Sequence, residues 1–342
     1  MEKIRLGKTE LYVSRTAFGA LPIQRVDFDT AKSILRRAYE AGINYFDTAY
    51  VYSDSEDKIG YALSDVRENI VISTKVWATD YEGARSQLEE SLRRMKTDYV
   101  DLIQFHNPAQ LPDPEDKNGA YYAMAEAKRK GYVRHIGITN HRLEVARQAI
   151  ASGNFETLQF PYSYLSTDDE LDLAERCKSA DMGFIAMKAL CGGLLTNSKA
   201  VRAFFARHEN VVPIYGIQSL EEMEHWIALE NSVPEYDGEI DDAIEKDRKE
   251  LGGEFCRGCG YCMPCPVGIE INTAARMNML LRRSPYQQYM TKEFYAKMHK
   301  IDECLKCGKC KSKCPYGLDT PSVLEYMLKD FDEFYAEHTQ RA

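Results

Sequence analysis

Across the first 230 positions, apolar and aromatic runs of five to seven residues alternate with polar stretches that carry apolar residues at helical spacing. The runs predict strands at 16–20, 44–49, 71–75, 100–106, 135–139, 157–162, 183–188 and 211–217. Segments such as "TAKSILRRAYEAG" (30–42) and "GARSQLEESLRRM" (83–95) predict the amphipathic helices between them. Eight strand–helix units in about this length predict an α/β fold of the (β/α)8 TIM-barrel type over residues 1–231. A doubly wound open sheet is the weaker alternative, because no G-x-G-x-x-G follows the first strand.

The pattern changes after residue 231. Residues 232–250 are acidic and nearly free of large aliphatic side chains, which predicts a linker or a surface helix. Residues 251–342 form a second, smaller domain in which the polar–apolar pattern gives way to cysteine. Eight of the ten cysteines fall in two short runs there. Cys256, Cys259, Cys262 and Cys265 read C-x2-C-x2-C-x2-C-P, and Cys304, Cys307, Cys310 and Cys314 read C-x2-C-x2-C-x3-C-P. The second spacing is that of two-cluster ferredoxins, in which the fourth cysteine crosses to the other cluster. A ferredoxin-like, α-rich domain with two [4Fe–4S] clusters is therefore expected. Each cluster would take three cysteines from one run and one from the other. Helices are expected at 272–283 and 320–331, after each run.

Zinc also suits paired C-x2-C units. Eight cysteines with a proline after each fourth one fit iron better. The first run is one residue shorter than the usual spacing before its fourth cysteine. Cys177 and Cys191 stand apart and read as small buried apolar residues.

Net charge is −9, which gives no support to a nucleic-acid partner. No apolar run approaches a membrane helix, and the charged N-terminal stretch lacks a signal-peptide core. A cytoplasmic protein is expected, and in that compartment clustered cysteines are ligands more often than disulfides. Lys306, Lys309, Lys311 and Lys313 crowd the second run. They either offset an anionic cluster or dock an electron-transfer protein.

A barrel places its chemistry at the C-terminal ends of its strands. The polar residues predicted there are Asp47, Lys75 and His106, on three consecutive strands, with Tyr52 in the loop after the second. Singly, each has a plain explanation: a helix cap, a solvated strand end, a satisfied core histidine, an ordinary tyrosine. Together on one rim, they predict a site.

"GINYFDTAYVYSDSEDKIGYAL", "VISTKVW", "VDLIQFHNP" and "HIGITNH" resemble the aldo-keto reductases in order, spacing and strand position. The resemblance covers roughly residues 3–230, and the combined layout resembles the branch with a C-terminal ferredoxin domain. It implies carbonyl reduction with a nicotinamide cofactor held without a Rossmann motif, by a tetrad of Asp47, Tyr52, Lys75 and His106. Tyr52 would donate the proton, with its pKa lowered by Lys75, which Asp47 would hold in place. His106 would orient the substrate oxygen.

The resemblance also implies cofactor contacts. Asn140 and Gln159 match the residues that bind the nicotinamide amide, and Met187 stands where relatives stack an aromatic ring. Leu190, Gly192 and Gly193 would run past the pyrophosphate. Gly216 and Gln218 follow at the last strand, and Gln218, Glu222 and Trp226 replace the residues that relatives offer to phosphate and adenine. Because that segment carries three glutamates and no cation, NADH is favoured over NADPH, with Lys188 and Arg202 as the route by which a phosphate is still met. Trp77, Tyr50 and Asn107 are expected to border a pocket for a modest carbonyl compound. Three functions stay open: a carbonyl reductase with structural or sensory clusters, a reductase fed through the clusters with or without a flavin, and a redox-gated binding module.

Overall fold

The structure is a computed structural model that describes residues 1–193, 195–251, 255–258, 260, 262–283, 286–314 and 317–339. Its described residues divide into two compact units, one of Met1–Cys191 with Leu195–Ala243, the other containing Ile244–Ala342, with which Gly192 and Gly193 group.

The first unit opens with a hairpin of β1 (Lys3–Arg5) and β2 (Tyr12–Ser14) that the strand pattern did not reveal. Eight parallel strands follow: β3 (Ala17–Gly19), β4 (Tyr45–Asp47), β5 (Val71–Val76), β6 (Val100–His106), β7 (Val133–Thr139), β8 (Thr157–Pro161), β9 (Gly183–Met187) and β10 (Val211–Gly216). They close into a barrel in sequence order, with β10 pairing back to β3, so the open-sheet alternative falls. Ile4, Leu6 and Val13 of the hairpin pack with Val71, Leu102 and Val212 in one buried cluster inside the barrel. The hairpin thus plugs the end at which these strands begin.

The helices follow the predicted spacing. In α1 (Phe28–Glu40) Asp27 caps the first turn by accepting from Thr30 N–H at 2.7 Å, and Ala31, Ile34, Leu35 and Ala38 are buried. After α2 (Ser55–Leu63) comes α3 (Tyr81–Met95), which buries Ala84, Leu88 and Met95. The two pack so closely that a Cβ on Gly60 would lie 2.4 Å from the Arg94 carbonyl oxygen. Helices α4 (Ala120–Arg129), α5 (Leu143–Ser152), α6 (Asp168–Ser179), α7 (Ser198–Ala206) and α8 (Leu220–Asn231) complete the ring.

Helix α9 (Gly238–Leu251) covers most of the acidic stretch. The second unit contains α10 (Ile271–Ala274), α11 (Met277–Arg283), α12 (Lys292–Met298), α13 (Lys309–Ser312) and α14 (Thr320–Thr339). Ile269, Met277, Leu281, Ile301, Leu324 and Phe331 form its core, so the buried Met and Leu of the two helices expected there are packing residues. No helix among the described residues is long and apolar enough to cross a membrane.

Candidate functional site

Three residues of the predicted rim come from adjacent strands in register. Asp47 ends β4 opposite Ser73, Lys75 of β5 pairs with Gln104, and His106 ends β6. Strand alternation places Ser73 and Lys75 on one face of β5, and Leu102, Gln104 and His106 on one face of β6. Lys75 Nζ donates to Asp47 Oδ2 at 2.7 Å and to the Thr48 carbonyl at 2.6 Å, and both side chains are buried. Asp47 Oδ1 accepts from Ser73 Oγ at 2.6 Å and from Gln104 Nε2 at 3.3 Å. A buried ion pair is tolerable only when its spare lone pairs are satisfied, and these bonds do that. Sequence reasoning missed Ser73 and Gln104. Their signal was the two-residue step from Lys75 and His106 along the same strands.

Tyr52 reaches the rim from the loop after β4. The Tyr50 N–H donates to the Lys75 carbonyl at 3.2 Å, and the Tyr50 carbonyl accepts from Arg94 Nη1 at 3.1 Å. The Tyr52 N–H then closes a turn on Ala49 at 2.9 Å. Lys75 Nζ stands 5.2 Å from the centre of the Tyr52 ring. His106 lies between Tyr52 and Trp77, edge-on to both, with ring centres 5.9 and 5.4 Å away.

Burial raises the pKa of Tyr52 above that of an ordinary phenol, and the opposing pull of Lys75 is smaller. The expected lowering by Lys75 is therefore present but outweighed, because the same cavity that brings the ammonium close also removes water. His106 is pushed down to about 3, first by burial and then by Lys75. Its Nδ1 is buried without a hydrogen-bond partner among the described residues. An orphaned ring nitrogen beside a half-buried phenol fits a polar ligand atom at this rim.

The nicotinamide candidates lie on the following strands. Asn140 is fully buried after β7, donating to the Pro108 carbonyl at 2.9 Å and accepting from Arg142 N–H at 2.8 Å. Each amide atom keeps one further hydrogen-bonding site. Gln159 on β8 accepts from Gln104 Nε2 at 2.8 Å and so joins the Asp47 network. Met187 and Leu190 are half-buried at and after the end of β9. Gly192 has φ +73° in the turn Cys191–Gly193. Gly216 is exposed at the end of β10, where a Cβ would press on the Pro22 ring at 2.9 Å. Gln218 accepts from Arg25 Nη1 at 3.2 Å, and its N–H donates to Glu222 at 2.8 Å.

Two other residues considered for this end are occupied elsewhere. Trp226 is buried and stacks on Tyr215 with ring centres 3.7 Å apart. Arg202 is buried and paired with Glu230 at 2.6 Å. Arg25, which does reach this end, had no signal in the sequence because it lies nearly 200 positions from its partner.

In the second unit, Cys304, Cys307 and Cys310 line one recess with Cys262 and Cys265. It measures about 430 Å³ including its open mouth. Burial, a neighbouring backbone N–H and the nearby Cys304 and Cys307 act on the Cys310 thiol, and the net effect is upward. Thiols that repel one another as thiolates suit a cationic iron core. Gly308 has φ +70°, which turns the loop between Cys307 and Cys310. Cys256 accepts from Gly258 N–H at 3.4 Å, the kind of N–H···S bond that a cluster thiolate takes. Cys314 is half-buried after α13. Cys259 lies outside the described residues. These residues fit an iron–sulfur cluster.

Comparison with known proteins agrees with both halves. The sequence profile of the Aldo/keto reductase family matches residues 16–226, and that of a 4Fe-4S dicluster domain matches residues 255–319. An uncharacterized oxidoreductase of Bacillus subtilis, YqkF, is 29% identical over 236 residues, which is 64% of this chain and 75% of that protein. The barrel is similar in fold to an aldo-keto reductase from Bacillus halodurans in its holo form, at a TM-score of 0.64 and 24% identity, over 72% of this chain and 96% of that one. An aldo-keto reductase from Klebsiella pneumoniae in complex with NADPH gives 0.63 and 22%, over 72% and 94%.

Proposed function

Because this chain belongs to the aldo/keto reductase family, we propose that its barrel reduces a small carbonyl compound with a nicotinamide cofactor. Its cysteine-rich domain would hold two [4Fe–4S] clusters that exchange single electrons. The observation that carries the first part is the buried Asp47–Lys75 pair with Tyr52 and His106 at its edge.

The bound nicotinamide would supply a hydride to the carbonyl carbon. Charge then develops on the carbonyl oxygen and needs a proton and a polar cradle. Tyr52 is the proton donor in this reading, because burial keeps its phenol protonated and Lys75 tempers the cost of the phenolate. His106 is poorly suited to donate that proton, since with a pKa of about 3 roughly one ring in 10⁴ is protonated at pH 7. It would instead donate a hydrogen bond to the oxygen as a neutral imidazole. Asn140 and Gln159 would hold the nicotinamide amide, Met187 would cover the ring, and Leu190, Gly192, Gly216 and Gln218 would follow the dinucleotide. NADH is favoured over NADPH. The clusters would be held by Cys256, Cys259, Cys262 and Cys265 and by Cys304, Cys307, Cys310 and Cys314.

The test is isotopic. Anaerobic protein is given nicotinamide cofactor deuterated at the transferable position and a panel of small aldehydes and ketones. Deuterium on the carbinol carbon is expected. Carbonyl reduction that leaves the label behind, or no reduction across the panel, would overturn the reading. An absorbance spectrum of the same sample reads directly for flavin, the cofactor of the alternative in which the clusters feed the barrel.

A further inference from the structure

The cysteine-bearing segment is cationic in an acidic chain. Residues 255–314 hold eleven Lys and Arg against four Asp and Glu, a formal charge of +7 in a protein whose total is −9. Four thiolates around an oxidised core leave each [4Fe–4S] cluster at about −2, so two clusters absorb about four of those charges. Residues 251–342 as a whole hold thirteen Lys and Arg against eleven Asp and Glu, a formal charge of +2 that the two clusters outweigh, so the cationic character is local to the cysteine-bearing segment.

The excess is also placed unevenly. In the first run the one charged residue is Arg257, which is half-buried. In the second, Lys306, Lys309, Lys311 and Lys313 are all exposed. Lys306 pairs with Glu325 and Lys311 with Asp319, each at 3.0 Å, while Lys309 and Lys313 have no carboxylate partner among the described residues. Cys307 is exposed, whereas the other described cysteines of the two runs are partly covered. Beside it Leu305 is 66% exposed. An exposed apolar residue that shares one lining with Lys306 and Lys309, next to an exposed ligand, joins the two things a docking face needs. The charges steer and orient a partner, and the apolar centre gives it something to desolvate.

We propose that this face, centred on Leu305 and Lys309, docks a small acidic one-electron carrier protein. The proposal rests on the reading that the clusters exchange electrons. One electron would pass from the reduced carrier to the cluster that Cys304, Cys307 and Cys310 would hold, so the carrier would be oxidised as the cluster is reduced. No bond is made or broken and no proton moves.

Two measurements on the cluster-loaded protein under anaerobic conditions separate the proposal from its premise. In the first, photoreduced deazaflavin, a small reductant that needs no docking face, should bleach the cluster absorbance. If it does not, the electron-exchange premise fails and the proposal with it. In the second, calorimetry gives Kd for an acidic bacterial ferredoxin. Lys309→Glu with Lys313→Glu should weaken that Kd about tenfold or more, with iron and sulfide content unchanged. Raising the salt should weaken binding in the wild type and much less in the variant. Leu305→Ala should also weaken it, and Lys309→Gln with Lys313→Gln serves if charge reversal disturbs cluster loading. Unchanged affinity in the cluster-replete variants, or equally tight binding of a basic c-type cytochrome, overturns the proposal.

Discussion

Lys75 Nζ lies 2.7 Å from Asp47 Oδ2, while the Tyr52 ring centre is 5.2 Å from the same nitrogen. The ion pair is thus complete without the phenol, and Thr48, Ser73 and Gln104 finish its hydrogen bonds. Tyr52→Phe should accordingly leave the pair, the fold and the cofactor affinity intact. The general acid alone is lost, which is worth about 10²–10⁴-fold in turnover. Steady-state kinetics beside a cofactor titration checks this, and undiminished kcat would remove Tyr52 from the chemistry.

His106 gives a pH prediction with a definite sign. In the folded protein it stays neutral down to about pH 3, whereas in the unfolded chain it takes a proton near its ordinary pKa of about 6.5. Below pH 6.5 the unfolded state binds more protons, so stability is lost as the pH falls through that window and is fully present above it. One proton is worth at most about 2 kcal/mol between pH 6.5 and pH 5. His106→Gln should flatten this part of the stability profile. Denaturant midpoints at several pH values measure it, and parallel profiles for the two proteins would count against a buried neutral imidazole.

The barrel was legible because parallel strands buried on both faces read as continuous apolar runs, and all eight were found that way. The hairpin at its base escaped, since Lys3–Arg5 and Tyr12–Ser14 alternate too briefly to register. Asp47, Lys75 and His106 stood out as polar ends of apolar strands. Ser73 and Gln104 did not, because a polar residue inside such a run looks like noise until the register pairs Lys75 with Gln104. The net effect on Tyr52 was illegible for a different reason. Proximity of Lys75 can be read from strand order, but the desolvation that outweighs it depends on how the whole rim packs.

The doubled cysteine pattern predicts about eight irons and eight sulfides per chain. Cys262 and Cys265 both line the recess with Cys304, Cys307 and Cys310, and as the fourth cysteine of its run Cys265 should be the one that crosses to that cluster. Cys265→Ser should then perturb the electron paramagnetic resonance signal of the cluster held by the second run and spare the three first-run cysteines' cluster. A purified protein with zinc, or with iron for a single cluster, would contradict the assignment.

Arg94 should matter to turnover although it does not belong to the tetrad. It holds the Tyr50 carbonyl, packs its guanidinium over the Tyr50 ring at 4.9 Å, and bridges Glu90 at 2.9 Å and the buried Glu56 at 3.4 Å. Glu56 in turn accepts from Thr74, the neighbour of Lys75, at 2.6 Å. The loop that presents Tyr52 is therefore tied to α2, α3 and β5 through one guanidinium. Arg94→Gln should lower kcat by about tenfold or more with little change in cofactor KM, since small misplacements of a reacting group are costly. Arg94→Lys, which keeps the charge without the fork, should recover part of it. A stability loss with kcat unchanged would reduce Arg94 to a packing residue.

In the proposed reading, the choice of nicotinamide would be made at the first turn of α8. A helix N-terminus favours negative charge, and a ribose phosphate would compete for it with whatever is already there. Here Glu221 and Glu222 already occupy it, with Glu222 accepting the Gln218 N–H at 2.8 Å. Glu224 is neutralised by Arg37 at 2.9 Å, so two carboxylates and not three oppose the phosphate. On the cationic side, Arg202 is sequestered by Glu230, which closes one of the two routes considered from sequence. Arg25 is the cation that the fold itself brings to Gln218. A dianionic phosphate ordinarily needs at least one well-placed Arg or Lys, and Arg25 opposed by Glu221 and Glu222 does not tip the balance toward it. NADH should therefore bind more tightly than NADPH. Glu222→Gln should narrow the gap by favouring NADPH, and Arg25→Gln should widen it. Anaerobic titration of both cofactors against the three proteins decides the matter, and a tighter NADPH in the wild type would mean that a cation, Arg25 or Lys188, and not the glutamates, governs this end of the site.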